Sequence, residues 1–118
     1  MNELIALIVP KEILEHFDYD SYEDQNTCFI IRLIEKNDIA HIPKEILHDG
    51  KAVLDGFMNT IELQTYPLKG KEVFLELKRR RWKKKGTSKG YFNTYDFNEK
   101  GIKATREFGS FLKEIGRI

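Results

Sequence analysis

Cysteine, tryptophan, methionine and proline are all scarce in this chain, numbering one, one, two and three in 118 residues. Net charge is nearly absent as well, with 20 Lys+Arg against 19 Asp+Glu. A lone Cys28 excludes an intramolecular disulfide and a thiolate zinc cage, which fits a reducing compartment. It lies in an apolar run without a histidine beside it, so its expected role is packing rather than nucleophilic attack. Long apolar runs are also missing. Leu4 to Val9 spans only six residues and follows Glu3 rather than positive charge, unlike a secretory signal. No stretch approaches the ~18 apolar residues of a membrane helix. The expectation is a cytoplasmic protein without membrane contact.

What remains is the composition of a folded domain, 41% apolar and 33% charged, and 118 residues suit a single domain over 1–118. Apolar residues from Leu4 to Phe17 recur at helical spacing around Pro10, predicting a short helix, a break and a second helical turn. The acidic stretch 18–27 reads as a loop, and Cys28 to Ile34 as a core strand. One helical turn is expected at Lys44 to Leu47, after Pro43. Strand-like runs at Ala52 to Asp55, Thr60 to Tyr66 and Val73 onward, jointed by Gly56, Asn59, Pro67 and Gly70, predict an antiparallel meander. Alternation from Lys71 to Lys84 puts Val73, Leu75 and Leu77 on one face, and Tyr91 to Tyr95 reads as the returning strand of a long basic hairpin. From Asp96 and Glu99, at capping-box spacing, an amphipathic helix is expected to follow, with Gly101 and Gly109 each weakening it by about 1 kcal/mol. The fold class is therefore α+β: short N-terminal helices, an antiparallel meander with a protruding basic hairpin, and a C-terminal helix packed on one sheet face.

The near-zero total conceals a division. Residues 1–68 hold 5 basic and 13 acidic side chains, a net of −8, and residues 69–118 hold 15 basic and 6 acidic, a net of +9. Seven of the eight residues from Lys78 to Lys85 are cationic: Lys78, Arg79, Arg80, Arg81, Lys83, Lys84 and Lys85. Trp82 interrupts them, and Lys89 follows near the expected hairpin tip. A solvated lysine-rich edge that discourages aggregation is the plain reading of such a run. Against it, the run has one sign and extends a strand into a ribbon of a width the DNA major groove admits. It is also interleaved with Trp82 and faces Tyr91, Phe92 and Tyr95, aromatics expected to stack on bases or bury against a sugar. Phosphate contact by all seven cations would give a salt slope of about −6 in log K against log salt. Arg80, Arg81, Lys89 and Asn93 are the candidates for base edges by their position near the tip.

Other constellations carry less. His16, His41 and His48 lack the i,i+3 or i,i+4 spacing of metal ligands, so neither metal nor cofactor is implied. Asp18, Asp20, Glu23 and Asp24 do not follow the calcium-loop pattern, and Gly86 to Gly90 lacks the Walker spacing. The acidic half could still repel nucleic acid and so orient the basic half toward it.

Pro10-Lys11-Glu12, the Gly70-Lys71 turn, Lys78-Arg79-Arg80-Arg81-Trp82, Thr105-Arg106-Glu107-Phe108 and Phe111-Leu112-Lys113-Glu114-Ile115 together resemble the N-terminal region of certain bacterial insertion-sequence transposases. The similarity spans nearly the whole chain and is strongest from Gly70 to Trp82 and over the final helix. The resemblance implies a non-catalytic region that binds or positions DNA at the duplex ends of a mobile element, before or beside a metal-dependent catalytic domain or separately encoded subunit. That catalytic domain has no room in 118 residues, so no catalytic residue is carried over. Broader relatives often carry a cysteine zinc knuckle, from which this sequence departs. Two alternatives stay open. One is an interaction module, in which acidic and basic halves mediate self-association as a homodimer or docking to a catalytic subunit. The other is RNA or single-strand binding through the aromatics.

Overall fold

The computed structural model describes residues 2–116. Two short helices open the chain, α1 (Asn2–Ile8) and α2 (Lys11–Leu14), separated at Pro10, whose extended backbone stands at the N-cap of the second. They lead into β1 (Phe17–Asp24) and β2 (Cys28–Glu35), an antiparallel hairpin. The acidic stretch 18–27 expected to be a loop is thus strand as far as Asp24, and only Gln25 to Thr27 form the turn into β2. Phe17, Tyr19 and Tyr22 lie opposite Glu35, Leu33 and Ile31, with a bulge between Tyr19 and Ser21. The carboxylates sit on the edge of the sheet, where charge blunts pairing with other chains.

A 3-10 turn (Ile39–His41) and α3 (Lys44–Leu47) follow, the second where Pro43 predicted it. Then come β3 (Ala52–Phe57), β4 (Ile61–Leu68), β5 (Lys71–Lys78) and β6 (Arg80–Lys84), and finally α4 (Arg106–Glu114). The fold is α+β, with two sheets: four strands in the order β1-β2-β5-β4, and two strands, β3-β6. β4 and β5 form a tight hairpin through Lys69 and Gly70, both at positive φ (53° and 77°), the combination that a two-residue type I′ turn requires. The sheet is mixed, however, because β2 and β5 pair in parallel, from Cys28 opposite Glu72 to Ile34 opposite Lys78.

One face of the larger sheet holds the core. Ile31, Leu33, Leu63, Val73, Leu75 and Leu77 meet Ile5, Val9 and Ile13 from the N-terminal helices, with Phe17 and Phe97 closing one side. Each fully buried aliphatic here contributes about 1.5–3 kcal/mol. α4 begins later than its capping signal suggested. It packs by β4 through Phe108, whose ring centroid is 5.1 Å from that of Tyr66, and Thr65 and Thr105 are buried together. Among the described residues no helix is long and apolar enough to cross a membrane.

Candidate nucleic-acid interface

The predicted basic strand does not run unbroken. Val73, Leu75 and Leu77 point into the core as the alternation requires, but the next buried position is Trp82, so the inward parity changes from odd to even at Arg79. Glu35 explains the change. It stands where the parallel ladder would next pair Arg79, and it is completely buried. Its Oε1 accepts the backbone N–H of Arg80 at 2.9 Å, and its carbonyl oxygen accepts Arg80 Nε at 2.8 Å. The Glu35 side chain thereby replaces the ladder and turns the strand onto the second sheet. Its Oε2 accepts the Tyr95 hydroxyl and, at 3.1 Å, the Asn93 amide, which also donates to the carbonyl of His41 at 2.7 Å. Burial, and then the bond to Glu35, push the Tyr95 hydroxyl well above its ordinary pKa.

A second polar chain adjoins this one. His41 Nδ1 lies 2.5 Å from the Asp38 carboxylate and His41 Nε2 lies 2.9 Å from His16 Nδ1. The hydrogen bond from His41 holds the Asp38 carboxyl below its usual range. Among the described residues no group of three or more His, Cys, Asp or Glu side chains could hold a metal ion.

β6 pairs with β3 in antiparallel register, Ala52 opposite Lys84 and Leu54 opposite Trp82. The returning segment of the predicted hairpin contributes a single bridge. Trp82 and Tyr91 exchange backbone hydrogen bonds of 2.8 and 2.7 Å, and no ladder continues from there. The two-stranded ribbon is therefore built from β3 and β6, with the Gly86–Gly90 loop lying against it.

The predicted cations are divided by this arrangement. Lys78, Lys85 and Lys89 are exposed, whereas Arg79, Arg80, Arg81, Lys83 and Lys84 are half-buried. Arg79 donates to the Asn93 carbonyl at 3.1 Å and covers the Phe92 ring at 5.1 Å. Lys78 and Arg80 both lie over Phe57, at 4.6 and 5.6 Å, and Lys89 over Tyr91 at 5.1 Å. Asp55 pairs with Arg81 and, at 3.7 Å, with Lys83, while Asp49 pairs with Lys84 at 2.8 Å. Lys84 in turn holds the Asp49 carboxyl below its ordinary range, and Asp49 raises the Lys84 ammonium.

Two predicted contacts face inward instead. Trp82 is only 5% exposed, so its ring packs within the protein and presents no face for a base. Asn93 spends its amide on Glu35 and His41, which leaves it no donor for a base edge. Tyr95, expected to stack on bases, is instead bonded to the buried Glu35, and Glu35, Asp49, Asp55 and Phe57 belong to the site without having been singled out from the sequence. Asp49 and Asp55 each precede a glycine, a pattern that reads as turn punctuation rather than as a partner for distant cations.

The excess charge survives this internal pairing. Segments 49–57 and 78–90, the ribbon with its loop and the residues flanking them, together hold nine cationic and two acidic side chains, a net of +7. Such a concentration of one sign makes the local potential positive, and its ion pairs, each about a third or more exposed, are worth about 0.2–1 kcal/mol apiece. Comparison with protein-family models, with curated proteins and with solved structures finds no match to this chain.

Proposed function

We propose that the chain is a non-catalytic nucleic-acid-binding module that grips the backbone of duplex DNA with the β3–β6 ribbon and the Gly86–Gly90 loop. The observation that carries this reading is the net charge of +7 on the ribbon, its loop and their flanking residues (49–57 and 78–90), within a chain whose total is +1. Together with the transposase resemblance, it supports a DNA-positioning region that serves a catalytic domain or subunit elsewhere. Duplex is favoured over single strands because the ribbon's aromatics are engaged already: Trp82 is buried, and cations cover Phe57, Tyr91 and Phe92. Lys85 and Lys89 lead the contacts at the loop end of the ribbon, and Lys78, over Phe57 at the other end, adds a third.

Three phosphate contacts imply a salt slope of about −3, roughly half that expected for a fully extended run of seven cations. Titration of a labelled duplex over a range of salt concentrations tests this. Replacing Lys78, Lys85 and Lys89 together by alanine is expected to remove most of the slope. An unchanged slope in that variant, or binding indifferent to salt, overturns the reading.

A second reading, a protein-docking module, is favoured by a different observation. Leu4, Tyr22 and Leu68 are exposed around an apolar groove floored by Phe29, Ile31 and Val73. It predicts self-association that persists at high salt without DNA, which sedimentation measures.

A further inference from the structure

Asp55 stands out because each of its carboxylate oxygens is taken by a different cation of β6. Oδ2 pairs with Arg81 Nη1 and Oδ1 lies 3.7 Å from Lys83 Nζ. Arg81 and Lys83 are two residues apart on one strand, so they share a face and converge on one anion. All three side chains are about one-third exposed, so the group lies open to solvent rather than sealed in the core. The backbone prepares this meeting. The β3–β6 register shifts between Leu54 and Phe57, and Gly56 in the shifted segment has φ +79°, a conformation that strains other residues. On the opposite side Gly90 makes room: a Cβ there would fall 2.4–2.5 Å from Nε, Cζ and Nη2 of Arg81. The guanidinium is thus held between a bulge and a glycine, with the Ser88 carbonyl accepting from Nη2 at 3.4 Å.

We propose that Arg81 and Lys83 form a two-cation phosphate seat, and that Asp55 fills it in the free protein as a carboxylate stand-in that phosphate must displace. This rests on the nucleic-acid reading above and adds a specificity-determining residue to it. Asp55 weakens the hold on isolated phosphates. A ligand offering several phosphates at once, anchored by Lys85 and Lys89, competes for the seat because the local concentration of its next phosphate is high, and takes it fully only once Asp55 is neutralised. The two oxygens of a phosphodiester can take the same pair of cations, and arginine's planar fork suits phosphate better than lysine's point charge.

The test compares wild type with Asp55→Asn, a near-isosteric change, and with Glu62→Gln, which removes an exposed carboxylate on β4 as a control for net charge. A labelled duplex of arbitrary sequence is titrated across salt concentrations, and circular dichroism checks that each variant folds. Asp55→Asn is expected to bind about two- to fivefold more tightly at low salt, with the slope steeper by about one to two, while Glu62→Gln stays near wild type. Equal gains in the two variants, or weaker binding by Asp55→Asn, overturn the seat and leave the nucleic-acid reading intact. If wild type shows no salt-dependent duplex binding, that reading fails by itself. Inorganic pyrophosphate, followed through the Arg81 side-chain NMR signals, then decides the seat: a larger shift in Asp55→Asn than in wild type supports it, and no difference overturns it.

Discussion

Arg80 is bonded to Glu35 twice, its backbone N–H to the side-chain Oε1 at 2.9 Å and its Nε to the main-chain carbonyl at 2.8 Å. These bonds join the last residue of β2 to the first of β6, and so fix the direction in which the ribbon leaves the larger sheet. Both Glu35 side-chain oxygens act purely as acceptors. Glu35→Gln therefore aims an N–H at a donor, and the expected loss is about 1–3 kcal/mol in urea denaturation. No phosphate contact is removed, so the salt slope of DNA binding should stay as it was.

Tyr95 gives a test at the alkaline end. Its folded-state pKa is raised by burial and then by Glu35, so the folded protein keeps a proton that the unfolded chain releases near the ordinary value of 10.0. The stability from the protonated form is complete below that value and declines as the pH rises above it. Unfolding by urea should become easier above about pH 10, and Tyr95→Phe should flatten that decline. Tyrosinate absorbance from Tyr95 should appear only with unfolding.

Gly109 reverses the usual helix rule. Alanine is about 1 kcal/mol better than glycine in a helix interior. Here a Cβ would lie 2.4 Å from Glu99 Cβ and 2.9 Å from its Cγ, atoms close to the backbone that cannot swing aside. Glu99 is fixed besides by Ser110, whose hydroxyl donates to it at 2.6 Å. Gly109→Ala should lower stability by about 1–3 kcal/mol, seen as a lower melting temperature.

Trp82 separates packing from recognition. If its ring is only a packing element of the ribbon, Trp82→Phe keeps duplex affinity within about twofold, since no base contact is lost. Trp82→Ala should instead cost about 3–5 kcal/mol of stability. A large loss of affinity in a well-folded Trp82→Phe would show that the indole reaches DNA.

The elements built on local pattern were legible in the sequence. Pro10 and Pro43 marked the starts of α2 and α3, the Gly70 turn joined β4 to β5, and alternation identified Val73, Leu75 and Leu77 as core. What local pattern cannot carry is choice of partner. β6 pairs with β3 rather than with 91–95 because Glu35, remote in sequence, intercepts Arg80 and turns the strand. The acidic stretch 18–27 looked like a loop because its carboxylates outnumber its apolar residues, yet Phe17 just before it, fully buried, and Tyr19, packed against the core, seat residues 17–24 on the β2 edge. The cationic run was visible as charge, but its neutralisers Asp49 and Asp55 were hidden at turn-like positions.

The parallel pairing of β2 with β5 bears on how the chain can be made and divided. These two strands are the centre of the larger sheet, and they lie on opposite sides of residue 68, where the charge changes sign. The electrostatic boundary is thus sewn through by the fold. During synthesis β2 waits with one edge unpaired until β5 emerges, so the acidic half has no sheet of its own to complete. Fragments 1–68 and 69–118 should each be unfolded alone and regain structure when mixed. The two charges are poles of one cooperative unit, not modules that recombination could exchange.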